Sequence, residues 1–422
     1  MPVKERMMGR VSTTEAEPWN GEAGKLPLSS SRLPLRHFSR FCLSFGFVFA
    51  GILTTWLGSL LPWLCARWNL GPAVAGNFFI AQFGGSSLGV ILNGWLLAKA
   101  GYRNTLALGL AFMSVGTLSL LAAHPGQALL GWALAGFGMG LLIPAGNLAL
   151  AQASGAQAAG ALNGLNLAWG AGALAAPALV AGLMHGRHPL LTLALLALAQ
   201  LGLGLALRWD RAPWPALTPA PWRGMMNRRW GWLGLCIFLY VGAENSAGGW
   251  IATLGRASGL HRHFWLWLPW LFWAGLLGGR ALAPLWLRWI SDLRLARISA
   301  FVAGCGFALF MAVRLPDGLL AAALLTGLGL AAIFPILLAQ IPRLSAAENQ
   351  VRPADPWLFL FGGLGGAVFP ALLGRFAGGR AASVVSAARL RGAMLLPGLA
   401  LAVIFYFLPR LRRASAPGNR VL

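Results

Sequence analysis

Chemistry in this chain narrows to one acid and one base. Glu5, Glu15, Glu17, Glu22, Asp210, Asp292, Asp317, Glu348 and Asp355 fall in the N-terminal stretch, in loops or at the margins of apolar runs, whereas Glu244 sits deep within one. Placed about 12 residues into its run, or ~18 Å at the rise of an α-helix, it lies near a bilayer midplane. An ionised carboxylate there costs ~2.5–3.5 kcal/mol on insertion scales and must face a protein interior or a wet cavity. One reading makes Glu244 a proton carrier or substrate contact, since desolvation disfavours its charged form. The other makes it a structural partner of Arg280 in the next apolar run, whose depth differs by ~6 Å, within reach of two long side chains.

The segments that position these residues are set by composition. Of 422 residues, 58% are hydrophobic and 10% charged, against about 25% charged in soluble domains, so lipid is the solvent for most of the surface. The formal charge of +23 would suggest nucleic acid in a soluble protein. Here it is distributed as a topology signal, and no nucleic-acid partner is expected. Apolar windows near the ~20 residues needed to cross a bilayer fall at 38–61, 73–97, 105–123, 127–151, 159–184, 190–207, 231–254, 264–287, 298–313, 319–341, 356–376 and 391–409. Residues 1–37 are too long and too acidic for a secretory signal and read as a disordered cytoplasmic tail. Residues 208–230, with Pro213, Pro215, Pro219 and Pro221 among arginines, read as a linker between two six-span halves, and 410–422 as a second cytoplasmic tail. Basic residues concentrate in the loops on the side of the termini, which orients both termini to the cytoplasm and places the chain as a multi-pass protein of a plasma membrane, expected to be a bacterial inner membrane.

The halves repeat. Gly136, Gly138 and Pro144 in the fourth span match Gly327, Gly329 and Pro335 in the tenth; Gly170, Gly172 and Pro177 in the fifth match Gly363, Gly365 and Pro370 in the eleventh; Gly85 and Gly89 in the second match Gly275 and Gly279 in the eighth. The offsets agree within three residues, which predicts a duplicated six-helix unit. Two such units related by an axis along the membrane normal form a secondary-transporter architecture.

At the loop between spans two and three, Gly94-Trp-Leu-Leu-Ala98-Lys99-Ala-Gly101-Tyr102-Arg103 resembles the signature of the major facilitator superfamily: Gly, three residues, Asp, a basic residue, any residue, Gly and two basic residues. Ala98 replaces the usual Asp and Tyr102 a basic residue. The stretches Gly136 to Asn147, Leu162 to Gly170 and Tyr240 to Trp250 are similar to the fucose-permease-like sugar symporters. The resemblance implies an all-α polytopic membrane protein of twelve transmembrane helices in two six-helix bundles, with Gly94, Lys99, Gly101 and Arg103 as a gating loop. It implies rocker-switch transport of a small polar solute, a sugar or related metabolite, with substrate contacts at Thr54, Thr55, Asn147, Asn163, Asn166, Trp169, Tyr240, Asn245 and Trp250. Amides and hydroxyls in membrane helices also serve as interhelical glue, a second reading for each of these. Such symporters carry coupling carboxylates in spans one and four. This chain has none there, so proton coupling passes through Glu244 and Arg280 or is absent.

Other chemistries find little support. Cys42, Cys65, Cys236 and Cys305 read as small buried hydrophobes. Trp265, Trp267, Trp270 and Trp273 read as interfacial anchors and lipid contacts. His124, His185, His188, His261 and His263 fall in loops on the far side, without accompanying carboxylates or cysteines for a metal. No nucleotide-binding loop, zinc-protease motif or serine elbow occurs. The expected protein is therefore not an enzyme and needs no cofactor or metal. It is expected to act as a monomer with a solute, a proton and the lipid bilayer as its partners. Efflux of amphipathic compounds is the rival transport reading, and a transport-incompetent sensor or scaffold the rival from another class.

Overall fold

The computed structural model describes residues 35–185, 189–211, 213–215, 228–261, 264–347, 356–378 and 385–413. Most of the expected N-terminal tail, most of the linker and the end of the C-terminal tail lie outside the described residues.

All twelve expected spans are helices. Span 1 is His37–Trp68, and spans 2 and 3 form one helix, Asn77–Leu118, broken at Gly101 and preceded by a short helix, Pro72–Ala75. Spans 4, 5 and 6 are Pro125–Ser154, Ala158–His185 and Pro189–Trp209; spans 7, 8 and 9 are Arg228–Ala257, Phe264–Trp286 and Asp292–Ala312. Span 10 is divided into Pro316–Leu330 and Ile333–Ala347; span 11 is Pro356–Ala377; span 12 is Leu395–Arg413, behind a short helix, Ala387–Ala393. Several helices outrun their apolar windows, because a window marks only the hydrocarbon-matched part while the helix continues into the polar interface. The division of span 10 falls just before Pro335, which has no N–H to give the carbonyl of Ala331.

Among the described residues nine stretches are long and apolar enough to cross a membrane, and one of them, Pro72–Leu121, holds spans 2 and 3. Spans 7 and 8 fall short of that hydropathy. They are the spans that carry Glu244 and Arg280, and their tryptophans, glycines and polar residues dilute the apolar character further.

Glycine sets how closely the helices approach, and it does so in matched pairs. A Cβ on Gly136 would strike the Gln82 carbonyl of span 2, and one on Gly327 the Phe272 carbonyl of span 8. Gly172 packs on Val48 of span 1 as Gly365 packs on Phe238 of span 7. The pairing extends across the bundles: Gly170 meets Leu277 of span 8, while its counterpart Gly363 meets Ser87, the counterpart of Leu277. Gly58 lies against the carbonyl of Gly248, the residue that the repeat offset of the second and eighth spans makes its own counterpart, so the two bundles touch on their pseudo-twofold axis. Buried amides and hydroxyls tie the helices further. Gln82 donates to the Leu53 carbonyl at 2.8 Å, Asn93 to Leu141 at 2.7 Å, and Ser114 to Ala197 at 2.8 Å.

Among the described residues, the glycine contacts between bundles lie at mid-depth and toward the end away from the termini. At mid-depth Gly366 meets Phe83; toward the far end Gly249 meets Phe79, Gly76 meets Ala371, and Gly374 meets Pro72. At the far end the Arg256 guanidinium donates to the Pro62 carbonyl at 2.6 Å. Asn163 and Asn166, on span 5 toward the termini from Gly170, are exposed.

Gly136→Ala and Gly327→Ala are each expected to lower stability by ~1–3 kcal/mol through overpacking. Gly84→Ala, where a Cβ meets nothing within 4 Å, is expected to be neutral or mildly stabilising, as a helical Gly-to-Ala exchange is. Thermal unfolding of the three purified variants in one detergent measures this, and equal effects at all three sites would refute the packing argument.

Candidate functional site

Span 7 carries Tyr240 and Glu244 one helical turn apart, so both face the same neighbour. That neighbour is span 8, where Arg280 places Nη2 3.7 Å from Glu244 Oε1 and 3.4 Å from the Tyr240 hydroxyl. The carboxylate contact is an ion pair, longer than a good hydrogen bond. Tyr240 is fully buried, and the Glu244 and Arg280 side chains are 10% and 22% exposed. Arg280 Nε is buried without a hydrogen-bond partner.

The pair sits where the bundles meet. The Arg280 guanidinium lies 6.0 Å from the ring centre of Trp169, which span 5 of the other bundle contributes. Trp169 in turn packs edge-on against Trp273 at 5.8 Å, and Tyr240 stacks on Phe334 of span 10 at 5.5 Å. A guanidinium against an aromatic face is attractive, and more so away from water. Phe334 also lines a cavity of ≈ 160 Å³ between the bundles, walled by Phe83, Val90, Met139, Ile143, Ile237 and Val241 among others. Phe334 therefore borders the cavity and stacks on Tyr240, the hydroxyl partner of Arg280.

The other expected contacts divide by how their polar atoms are used. Thr54 donates to the Ala50 carbonyl at 2.7 Å, and buried Thr55 to Gly51 at 3.0 Å and Ala173 at 3.4 Å. Asn245 donates to Val241 of its own helix at 2.9 Å. Trp250 is wholly buried with Nε1 donating to the Pro370 carbonyl at 3.0 Å, away from the ion pair against Phe79. Asn147 is half-buried on span 4, and Asn163 and Asn166 are exposed on span 5. The structure thus gathers Trp169, Tyr240, Glu244 and Arg280, and gives Thr55 and Trp250 packing duties. Gly248 and Gly249 serve close packing in an uninterrupted helix.

Two expectations from residue type need correction. Trp265 and Trp273 are buried, whereas Trp267 and Trp270 are 51% and 37% exposed. The row is split by the helical turn, and only the latter two are available to lipid. Cys305 is exposed, unlike the other three cysteines, because its position on span 9 faces outward. Phe334 and Trp273 join the site although residue type does not mark them for it. The one signal in the sequence is the eight-residue spacing of Trp265 and Trp273, which puts them on one helix face. At the expected gating loop, Gly101 has φ 73° and ψ 174°, a conformation reserved for glycine. Lys99 lies over the Trp95 ring at 4.4 Å, Gly94 borders open space, and Arg103 is half-buried. Among the described residues no group of three His, Cys, Asp or Glu is placed to hold a metal.

Residues 43–370 match the family described as Major Facilitator Superfamily. The chain belongs to that superfamily. It is a membrane transporter by family, with twelve helices in two bundles. No curated protein matches the sequence. Among solved structures, a bacterial homolog of the human lysosomal transporter Spinster, inward-facing and occupied, is similar with TM-score 0.72 and 12% identity over 90% of this chain and 97% of that one. The nucleoside transporter NupG is similar with TM-score 0.67 and 14% identity over 89% and 99%, and a point variant of the E. coli fucose:proton symporter FucP with TM-score 0.60 and 18% identity over 90% and 98%. Likeness at this identity establishes the fold, and the sugar symporters are not singled out within it.

A double-mutant cycle on Glu244→Gln and Arg280→Gln, read by thermal unfolding in detergent, is expected to give a coupling of ~1–3 kcal/mol, since the residues contact one another. Strictly additive effects would mean that the pair does not form.

Proposed function

We propose that this transporter moves an amphipathic solute by alternating access, with the Glu244–Arg280 pair receiving the polar end of the solute and the cavity beside it receiving the apolar end. The observation that carries this reading is the lining of that cavity, in which Phe83, Val90, Met139, Ile143, Val241 and Phe334 take part. A sugar site requires several convergent donors and acceptors. Here the donors of Thr55 and Trp250 are already used on backbone carbonyls, and Asn245 gives an N–H to Val241 of its own helix. The amphipathic reading is thereby favoured over the sugar reading.

Coupling to protons through Glu244 belongs to the same proposal. It is supported by the position of the acid at the seam, where opening to either side changes its access to water. With both termini in the cytoplasm, as the basic loops favour, the arrangement of closing contacts corresponds to an inward-facing state, in a bacterial plasma membrane and in a monomer. Opening to the other side must then break the Arg256 to Pro62 contact and part Gly58 from Gly248.

In proteoliposomes, a dansyl-tagged alkylamine is expected to be transported faster than a radiolabelled hexose and to respond to an imposed pH gradient, with the response lost in Glu244→Gln. Hexose transport without the amphipath would overturn the substrate class. A pH response preserved in Glu244→Gln would overturn the coupling role, and movement of neither probe would favour the sensor or scaffold reading.

A further inference from the structure

Between the far ends of spans 1 and 7 lies a cavity of ≈ 300 Å³, lined in part by Pro62, Cys65 and Ala66 of span 1 and by Thr253 and Arg256 of span 7. Ala66 and Arg256 are exposed, so the cavity communicates with water. Arg256 is the one charged residue in the described lining. Its guanidinium gives an N–H to the Pro62 carbonyl at 2.6 Å, a neutral acceptor that does not offset its charge. Of the ten acids in the chain, only Asp317 falls at the far end, and it lies outside the described lining.

At the spacing that relates spans 2 and 8, the counterpart of Arg256 is Ala66, so the cavity straddles the pseudo-twofold axis with a cation on one side of it. The next residue of span 1, Arg67, is engaged elsewhere: its guanidinium donates to the Leu120 and Ala122 carbonyls and lies over the Trp63 and Trp68 rings. Thr253 lies about one helical turn deeper than Arg256 on the same helix. Thr54, Thr55, Thr117 and Thr326 each return the hydroxyl to the carbonyl four residues back. The Thr253 hydroxyl does not, and it is buried without a hydrogen-bond partner. A buried hydroxyl left unpaired costs ~1–3 kcal/mol, which a ligand accepting its proton recovers.

We propose that this cavity binds a small soluble oxoanion, a carboxylate or a phosphate, with the remaining N–H groups of Arg256 and the hydroxyl of Thr253 as its donors. The fork of a guanidinium matches the spacing of two oxygens on such an anion. The volume takes the anion together with several waters at about 30 Å³ each. A place on the axis between spans 1 and 7, where the bundles meet, selects an anion from the water over a lipid headgroup. Arg256 is ~18 Å along span 7 from Glu244 at the rise of an α-helix, so the site is separate from the Glu244–Arg280 pair and does not depend on the transported solute.

Cys65 shares the cavity and reports on its occupancy. The full-length protein in detergent is alkylated with N-ethylmaleimide, an uncharged reagent, and modification of Cys65 is read by peptide mass spectrometry against exposed Cys305 as internal reference. Inorganic phosphate or acetate at about 10 mM, roughly ten times the ~1 mM Kd of a few charge-assisted hydrogen bonds, is expected to slow the Cys65 reaction about tenfold. The more protective of the two names the class of anion. R256Q is expected to abolish the protection and Thr253→Val to weaken it, whereas R314Q, at an exposed far-end arginine outside the described lining, is expected to keep it. Equal protection by sodium chloride at matched ionic strength would reduce the effect to screening and overturn the site, as would protection retained in R256Q. Protection by phosphatidylglycerol in the micelle and not by phosphate would reassign the cavity to a lipid headgroup. If R256Q does not fold, unchanged protection in Thr253→Val would count against the proposal. If Cys65 does not react, the same comparisons are made on the unfolding temperature, which phosphate is expected to raise in wild type and not in R256Q.

Discussion

A guanidinium and a carboxylate 3.7 Å apart within a helical membrane bundle constrain everything around them. Neither charge is tolerated alone at that depth, and each removes from its own helix some of the apolarity that favours insertion. Spans 7 and 8 accordingly have the weakest membrane signal of the twelve, and they remain in the bundle because their charges are used against each other. Tyr240 adds a hydroxyl to the pair, and Trp169 adds an aromatic face from the opposite bundle. The pair is therefore both a tie within the C-terminal bundle and part of the surface on which the two bundles meet.

That surface is built largely on glycines, which meet backbone at Gly58 and Gly248 and side chains at Phe79, Phe83, Ser87 and Leu277. Gly58 against Gly248 brings two helices together near the pseudo-twofold axis, and the Gly170–Leu277 and Gly363–Ser87 contacts lie symmetrically about it. Close packing of small residues holds membrane helices by dispersion and shape. A contact of this kind parts without exposing buried charge, and the same surfaces re-form on return. The Arg256 to Pro62 hydrogen bond adds a polar closure at the far end, where water is available to replace it.

The spans, the duplication and the Glu244–Arg280 pair were legible in the sequence because each rests on a property read along one dimension: apolar length, recurring spacing, and the rarity of charge. The rotation of each helix was not legible. In a soluble helix a polar face marks the outside, but here lipid and protein interior are both apolar, so Trp267 and Trp273 look alike in sequence while facing opposite ways. The use of polar atoms was hidden for a related reason. Thr55, Asn245 and Trp250 have the residue types of a solute site; Thr55 and Trp250 reach carbonyls that only the packed bundle brings near, and Asn245 turns back to Val241 of its own helix. Phe334 stands at the start of the second part of the divided span 10, just before Pro335, whereas the matching Pro144 sits inside a continuous helix.

Duplication makes the remaining asymmetry informative. At the spacing that relates spans 2 and 8, the counterpart of Arg280 is Val90, which lines the apolar cavity. At the same spacing the counterpart of Glu244 is Thr54, whose hydroxyl turns back to its own helix at Ala50. The two halves thus share a backbone plan, and the ion pair at the seam belongs to the C-terminal one alone. Both halves contribute apolar lining to the cavity between them, with Ile237, Val241 and Phe334 from the C-terminal one. In the alternating access proposed above, a charge confined to one half would keep its pairing within spans 7 and 8 and travel with them. The N-terminal half would then part from it without breaking an ion pair across the seam. An ion pair shared between the halves would require such a break at every cycle, at a desolvation cost that a pair within one half avoids.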